Sequence, residues 1–356
     1  MAKERRSRSD RSQVQSVLNL LNSTRRVKRG GVRNPTRKLT AQQYEQFLTA
    51  LRDPRDHSIP AEVKDSLRFE YSNSNNRFEI RLSNVIDTGI QSFFEEAIRT
   101  WREYLQKSSH ARISSLIETL TSAPGGSLIF SDDSGAKEAK SPNWEIRHKC
   151  ARGGDRQCRY PALVLEIGWT QTKADLQEKA EVYINSSKGE IRTVVAVNMY
   201  GMYLAERKNE DTLRRMYRKG DMKQNRSYSF SKDNNNQTAS ASILVWRAGT
   251  DAGGVIKIGD PEEKIFRDPQ GTAIQSESLH LPFHDFLCTG LNDFQGELEE
   301  PLFEISSDTL CKAIKETLEK YREERAVVVR ETVKQEAQKS LERIEKEMSS
   351  NGRIKK

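Results

Sequence analysis

Residues 160–198, YPALVLEIGWTQTKADLQEKAEVYINSSKGEIRTVVAVN, constrain the fold more than any other part of the chain. An apolar run of strand length at 162–168 is followed by a short polar turn. A helical-period stretch comes next, with Ala174, Leu176, Ala180 and Ile184 among its apolar positions, and then the Val-rich run IRTVVAVN. Continuous apolar runs of this length read as strands buried on both faces. A strand, helix and strand at this spacing imply a parallel crossover inside a mixed sheet. One carboxylate, Glu166, stands at the end of the first run.

The flanking segments extend the pattern. Thr40 and Gln43 form a T-x-x-Q capping box ahead of Tyr44, Phe47, Leu48 and Leu51, so a helix opens the folded part. RFEYSNSNNRFEIRL alternates around an Asn/Ser turn and predicts a β-hairpin at 67–82. Ile86, Ile90, Phe93, Phe94, Ala97, Ile98, Trp101, Tyr104 and Leu105 make one broad stripe on a helix of about 85–107. SLIFSD (127–132), WEIRH (144–148) and ALVLEIG (162–168) read as successive strands, giving an αβββαβ order. More strands are predicted at 242–247, 254–258, 264–267 and 278–281, with a polar loop after Lys219. From 308 to 348, Leu310, Ile314, Leu318, Tyr321, Val328, Val333, Leu341, Ile344 and Met348 recur at three- and four-residue steps. This is a long amphipathic helix that either pairs as a coiled coil or lies on the domain.

Charge divides the chain sharply. Residues 1–40 carry twelve Lys or Arg and two acids, whereas the other 316 residues carry 47 basic and 49 acidic groups. The net +8 therefore belongs to an N-terminal arm, expected to be disordered apart from a short helix in QVQSVLNLLNS. Its RRVKRGGVRNPTRK run suits nuclear import or phosphate contact, and equally a solvated linker. The near-neutral body has no broad electrostatic footprint for nucleic acid. With no apolar window of membrane-span length and no signal segment, an intracellular protein is expected, nuclear or cytoplasmic. Four cysteines fit a reducing compartment. His148, Cys150 and Cys158 resemble three zinc ligands, but no fourth stands at a usual spacing, which favours plain thiols beside a loop.

Metal-dependent phosphodiester cleavage requires carboxylates converging on a hard cation, together with a group that orients the attacking water. An acid at the start of one strand and another near the end of its neighbour meet that need, because pleating aims both to one side. Ser141-Pro142-Asn143 opens a strand, and Glu166 lies on the next.

At these positions the chain resembles a group of fungal proteins with a restriction-endonuclease-like, PD-(D/E)XK fold. Their pattern runs S-P-D, a histidine, then P, an apolar stretch, E, and an aromatic-S-Q. Ser141, Pro142, Asn143, His148, Pro161, Glu166, Trp169, Thr170 and Gln171 fall on it. The likeness spans about 67–286 and leaves out the basic arm and the last helix.

The resemblance implies Mg²⁺ or Mn²⁺ held at Asn143 and Glu166, with a lysine two residues past the acid. The chain departs twice, with Asn143 in the place of Asp and Gly168 in the place of the superfamily's Lys. Gln171 or Lys173 is the candidate substitute. Asp87, nearest the apolar stripe of its helix, is the acid expected to complete the metal set as a third ligand, ahead of Glu95 and Glu96. Against this stands a simpler account, in which an acid ending a strand before a helix is a satisfied polar terminus. Trp144 and Trp169 likewise suit packing better than base stacking.

The expected architecture is α/β: a basic arm (1–40), a PD-(D/E)XK-like mixed-sheet domain (41–300) and a C-terminal helix (306–350). The expected function is a nuclease-like protein associated with nucleic acid. The alternatives are a catalytically inactive nucleic-acid binder and a protein-interaction module that uses 306–350, for self-association or another protein.

Overall fold

A computed structural model describes residues 13–20, 34–53, 67–107, 111–132, 134–149, 158–219, 240–251, 253–288 and 301–352. Most of the basic arm, Cys150 and the 220–239 loop lie outside the described residues. In chain order, α1 (13–20) precedes β1 (Thr36–Lys38) and α2 (Ala41–Arg52). The hairpin of β2 (Phe69–Ser72) and β3 (Arg77–Ile80) leads into α3 (Val85–Gln106) and α4 (Ala111–Glu118). Five strands follow: β4 (Leu120–Pro124), β5 (Leu128–Ser131), β6 (Lys137–Lys140), β7 (Trp144–His148) and β8 (Leu163–Gly168). Next come α5 (Lys173–Ser186), β9 (Thr193–Asn198), α6 (Tyr200–Lys219), β10 (Ala241–Thr250), β11 (Ile256–Ile258) and β12 (Glu262–Arg267). The chain continues through β13 (Leu279–Pro282), a 3₁₀ turn (Phe283–Phe286), β14 (Leu302–Ile305) and α7 (Ser307–Gly352).

The protein is mixed α/β. Its larger sheet runs β11-β10-β9-β8-β7-β4, with β12 also on β10. Among the described strands only β8 and β9 pair in parallel, joined through α5 as the opening stretch predicts. Both faces of these central strands are covered. Leu163, Leu165 and Ile167 pack with Ile86, Ile90 and Phe94 of α3 and Leu310 and Ile314 of α7. Val164, Val194 and Ala196 pack with Leu176, Ala180 and Tyr183 of α5 on the other side. The smaller sheet runs β1-β3-β2-β6-β5. It buries Phe69, Tyr71 and Phe78 against Tyr44 and Phe47 of α2 and Val17 of α1.

The expected αβββαβ order is modified. The 127–132 strand becomes β5 of the smaller sheet, and β4, which the sequence does not announce, takes its place beside β7. The core strands thus feed two sheets with a cleft between them. α6 is a second departure: YGMYLAERKNEDTLRRMYRK has few apolar residues, yet it packs on the domain through Met202 and Leu213. Arg322 and Arg325 of α7 close on Glu206 and Glu210 of α6, one helical turn apart. The N-terminal half of α7 therefore lies on the domain, with Leu310, Ile314 and Leu318 buried. Its far half leaves Leu341, Ile344 and Met348 exposed. No helix among the described residues is long and apolar enough to cross a membrane.

Candidate active-site cleft

The cleft between the two sheets holds a cavity of about 780 Å³, lined by Glu70, Arg81, Asp87, Lys140, Gln171 and Lys179 among others. Each lining group comes from a different element. Glu70 is the odd residue of β2: Phe69 and Tyr71 face α2, so the pleat turns Glu70 towards the larger sheet. Arg81 directly follows β3, and Lys140 ends β6.

Lys179 and Tyr183 lie one turn apart on α5, on the face that meets β8. Lys179 Nζ sits 3.1 Å from Glu166 Oε2 and 2.6 Å from Glu70 Oε1. Tyr183 donates its hydroxyl to Glu166 Oε1 at 2.6 Å. Arg81 Nε approaches Glu70 at 3.4 Å. The result is a buried alternating chain, Glu166–Lys179–Glu70–Arg81. Burial alone would raise the Glu70 pKa, but Lys179 and Arg81 outweigh it and hold that carboxyl down at about 2. Tyr183 is pushed well up, first by burial and then by the adjacent Glu166 charge, so it remains a phenol donor.

Asp87 stands at the mouth of α3 and does two jobs. Its backbone N–H donates to the Asn84 side chain at 3.0 Å, and its own carboxylate accepts from the Asn84 backbone N–H at 3.3 Å, closing a capping box. Burial raises its pKa to about 6 despite Arg81 and Arg68 nearby.

Asn143 and Glu166 are neighbours, as the resemblance implies. Trp144 pairs with Leu165 where the ladder ends, and the Asn143 N–H donates to the Leu165 carbonyl at 2.9 Å, next to Glu166 in the chain. Neither lines the cavity, and both are almost wholly buried. The Asn143 amide oxygen accepts the Ile167 N–H at 2.9 Å, standing in for a backbone carbonyl where β7 begins. Its Nδ2 has no hydrogen-bond partner among the described residues. Both Glu166 oxygens are engaged by Lys179 and Tyr183. The cation place that the sequence suggests between these side chains is thus occupied by internal bonds.

The remaining candidates separate. Gln171 lines the cavity, and its Oε1 is buried without a partner among the described residues. Lys173 points away from the cleft and pairs with Glu263 on β12. Gly168 suits its place: a Cβ there would lie 2.6 Å from Leu176 Cδ1, so a side chain fits only if Leu176 shifts. The cation near Glu166 comes instead from α5, as Lys179.

The sequence carries a signal for that residue. Leu176, Lys179, Ala180, Tyr183 and Ile184 share one buried helical face, and a lysine on such a face needs a buried partner. Glu70 and Arg81 give no such signal, because their strand face looks solvent-exposed until the second sheet covers it. Comparison with protein-family models, with curated proteins and with solved structures found no match.

Proposed function

We propose that this chain is a nucleic-acid-binding protein with a restriction-endonuclease-like core that does not cleave. One observation carries this reading. The two residues at the metal-binding positions of the resemblance spend their oxygens inside the fold, Asn143 on the Ile167 N–H and Glu166 on Lys179 and Tyr183. A hard cation needs several oxygens free to converge on it. Of the five acids that line the cavity, Glu70 is neutralised by Lys179 and Arg81, Glu79 pairs with Arg77, and Asp87 and Asp175 are bound into helix caps, which leaves Glu178. With Asn143 and Glu166 so engaged, the donor pair does not fit Mg²⁺ or Mn²⁺.

The unpartnered Nδ2 of Asn143 is consistent with a lapsed site. A buried donor left unmade costs about 1–3 kcal/mol, and an aspartate there would place an oxygen instead. Affinity for nucleic acid is assigned mainly to the basic arm, twelve Lys or Arg within forty residues.

The test incubates full-length protein with Mn²⁺ and labelled single- and double-stranded DNA and RNA. Salt-dependent binding without cleavage is expected, and deleting residues 1–33 should remove most of the salt dependence. Cleavage abolished by Glu166→Ala would overturn the non-cleaving reading. Calorimetry should detect tighter Mn²⁺ binding in Asn143→Asp than in wild type.

A second reading, a protein-interaction module, is favoured by one feature: Leu341, Ile344 and Met348 expose 56%, 52% and 70% of their surface along one side of α7.

A further inference from the structure

A second cluster lies away from the cleft, at the other end of β7. His148, the last residue of β7, lies with Cys158 and Cys288 so that their ligand atoms are all within 4.8 Å of one another. His148 Nδ1 and Cys288 Sγ are 3.3 Å apart. In a tetrahedral zinc site, bonds of about 2.0–2.3 Å place ligand atoms roughly 3.3–3.8 Å from each other. The cluster is already near that size.

We infer that the reduced chain binds one zinc ion through His148, Cys158 and Cys288. Three points along the chain deliver these side chains. The Cys158 N–H donates to the His148 carbonyl at 3.2 Å, holding Cys158 against the end of β7. Lys149 N–H donates to the Thr119 carbonyl at 3.0 Å, fixing the strand end from the other side. Cys288 follows the 3₁₀ turn, whose buried Asp285 accepts from Thr193 Oγ1 at 2.8 Å and from Arg247 Nη2 at 2.9 Å. A ligand 140 residues from His148 is invisible to any local spacing rule, and it supplies a group that the 148–158 stretch lacks. His148 is buried, and both cysteines are half-buried, which suits a metal that ties segments together and stays reachable from solvent.

Cys158 is disulfide-bonded in the structure, whereas Cys288 and Cys311 are thiols. A disulfide sulfur does not ligate zinc, so the metal site belongs to the thiol form. A dithiol reductant passes two electrons and two protons to the disulfide, giving two protein thiols and an oxidised reductant. Zinc then displaces the thiol protons of Cys158 and Cys288 and takes a lone pair of the neutral imidazole. Bound metal would tie Cys158 and the 3₁₀ turn to the end of β7. Loss of metal and oxidation would act together.

The experiment uses full-length protein reduced with a phosphine, loaded with Zn²⁺ alone, desalted and assayed for metal by mass spectrometry. One zinc per chain is expected, and Co²⁺ in its place should give thiolate-to-cobalt charge-transfer absorption. Cys288→Ser and His148→Ala should lower zinc affinity by more than the roughly 10–100-fold cost of losing an outer-shell partner. Cys311→Ser, outside the cluster, should retain wild-type affinity. Alkylation of the wild type covers the case in which a variant misfolds: zinc should slow modification of Cys158 and Cys288 but not of Cys311. A wild type that retains no zinc, a folded Cys288→Ser that retains it fully, or equal alkylation of all three cysteines with and without zinc overturns the inference.

Discussion

Lys179 is the residue on which the cleft turns. It has almost no contact with solvent and serves two carboxylates, Glu166 and Glu70. Removing one partner of a buried charge network leaves the others uncompensated, which typically costs about 3–5 kcal/mol. Lys179→Met should therefore destabilise the protein by that order in urea unfolding. Lys173→Met, which breaks a half-exposed pair with Glu263, should cost less than about 1 kcal/mol. Equal losses would remove Lys179 from the centre of this account.

Asp87 gives a pH signature of the opposite kind. Its pKa rises from 3.8 to about 6 on folding, so the folded state holds the proton more tightly than the unfolded one. Stability is then lost as pH rises from about 4 to about 7, by roughly 3 kcal/mol for a shift of this size. Asp87→Asn has no charge to bury there. Its advantage over wild type should grow by about that amount across the window and vanish near pH 4, as read by unfolding at each pH. Glu70 runs the other way: its depressed pKa contributes stability above about pH 4.5 that disappears as pH falls towards 2.

Among the elements, α5 and β8 show how packing chose the chemistry. The Gly168 Cα has Leu176 directly over it, so β8 and α5 approach closely only because no side chain intervenes. Gly168→Ala should cost about 1–3 kcal/mol through overpacking, and the penalty should shrink when Leu176→Ala opens the space. A double-mutant cycle in urea checks the pair. Both elements, the β2–β3 hairpin and the α3 stripe were legible because each follows a strong period bounded by caps or turns. The capping boxes at Thr40 and Asn84 fix the starts of two helices by local chemistry alone. β4 and α6 were not legible. β4 is a five-residue edge whose identity rests on pairing with β7, and α6 is held largely by the charge pairs Glu206–Arg322 and Glu210–Arg325 with a helix over a hundred residues later.

For the whole molecule, the main question is what the two ends do. The domain itself is near neutral, so salt-dependent affinity should track the arm, as the deletion of residues 1–33 tests. At the other end, α7 leaves the domain and carries its apolar residues into solvent. If that half pairs with a second copy, sedimentation of the full chain should show a dimer. Truncation at 336 should return it to a monomer without loss of folded structure. A full-length monomer at all concentrations would leave the exposed stripe unexplained by self-association.

What the residue order determined alone is what period, capping and charge clustering encode: the parallel crossover, the hairpin, the long helices and the lopsided basic arm. The placing of Asn143 and Glu166 on successive strands was also read there, and their pairing was what the resemblance implied. Only the three-dimensional packing decided that Asn143 bonds backbone, that Glu166 is held by Lys179 and Tyr183, and that Glu70 and Arg81 face a cleft. The same packing brought Cys288 beside His148 across 140 residues. The physical reason is common to all four. A side chain's role depends on which groups replace the water around it, and sequence neighbours do not name the groups that a second sheet or a distant turn brings in.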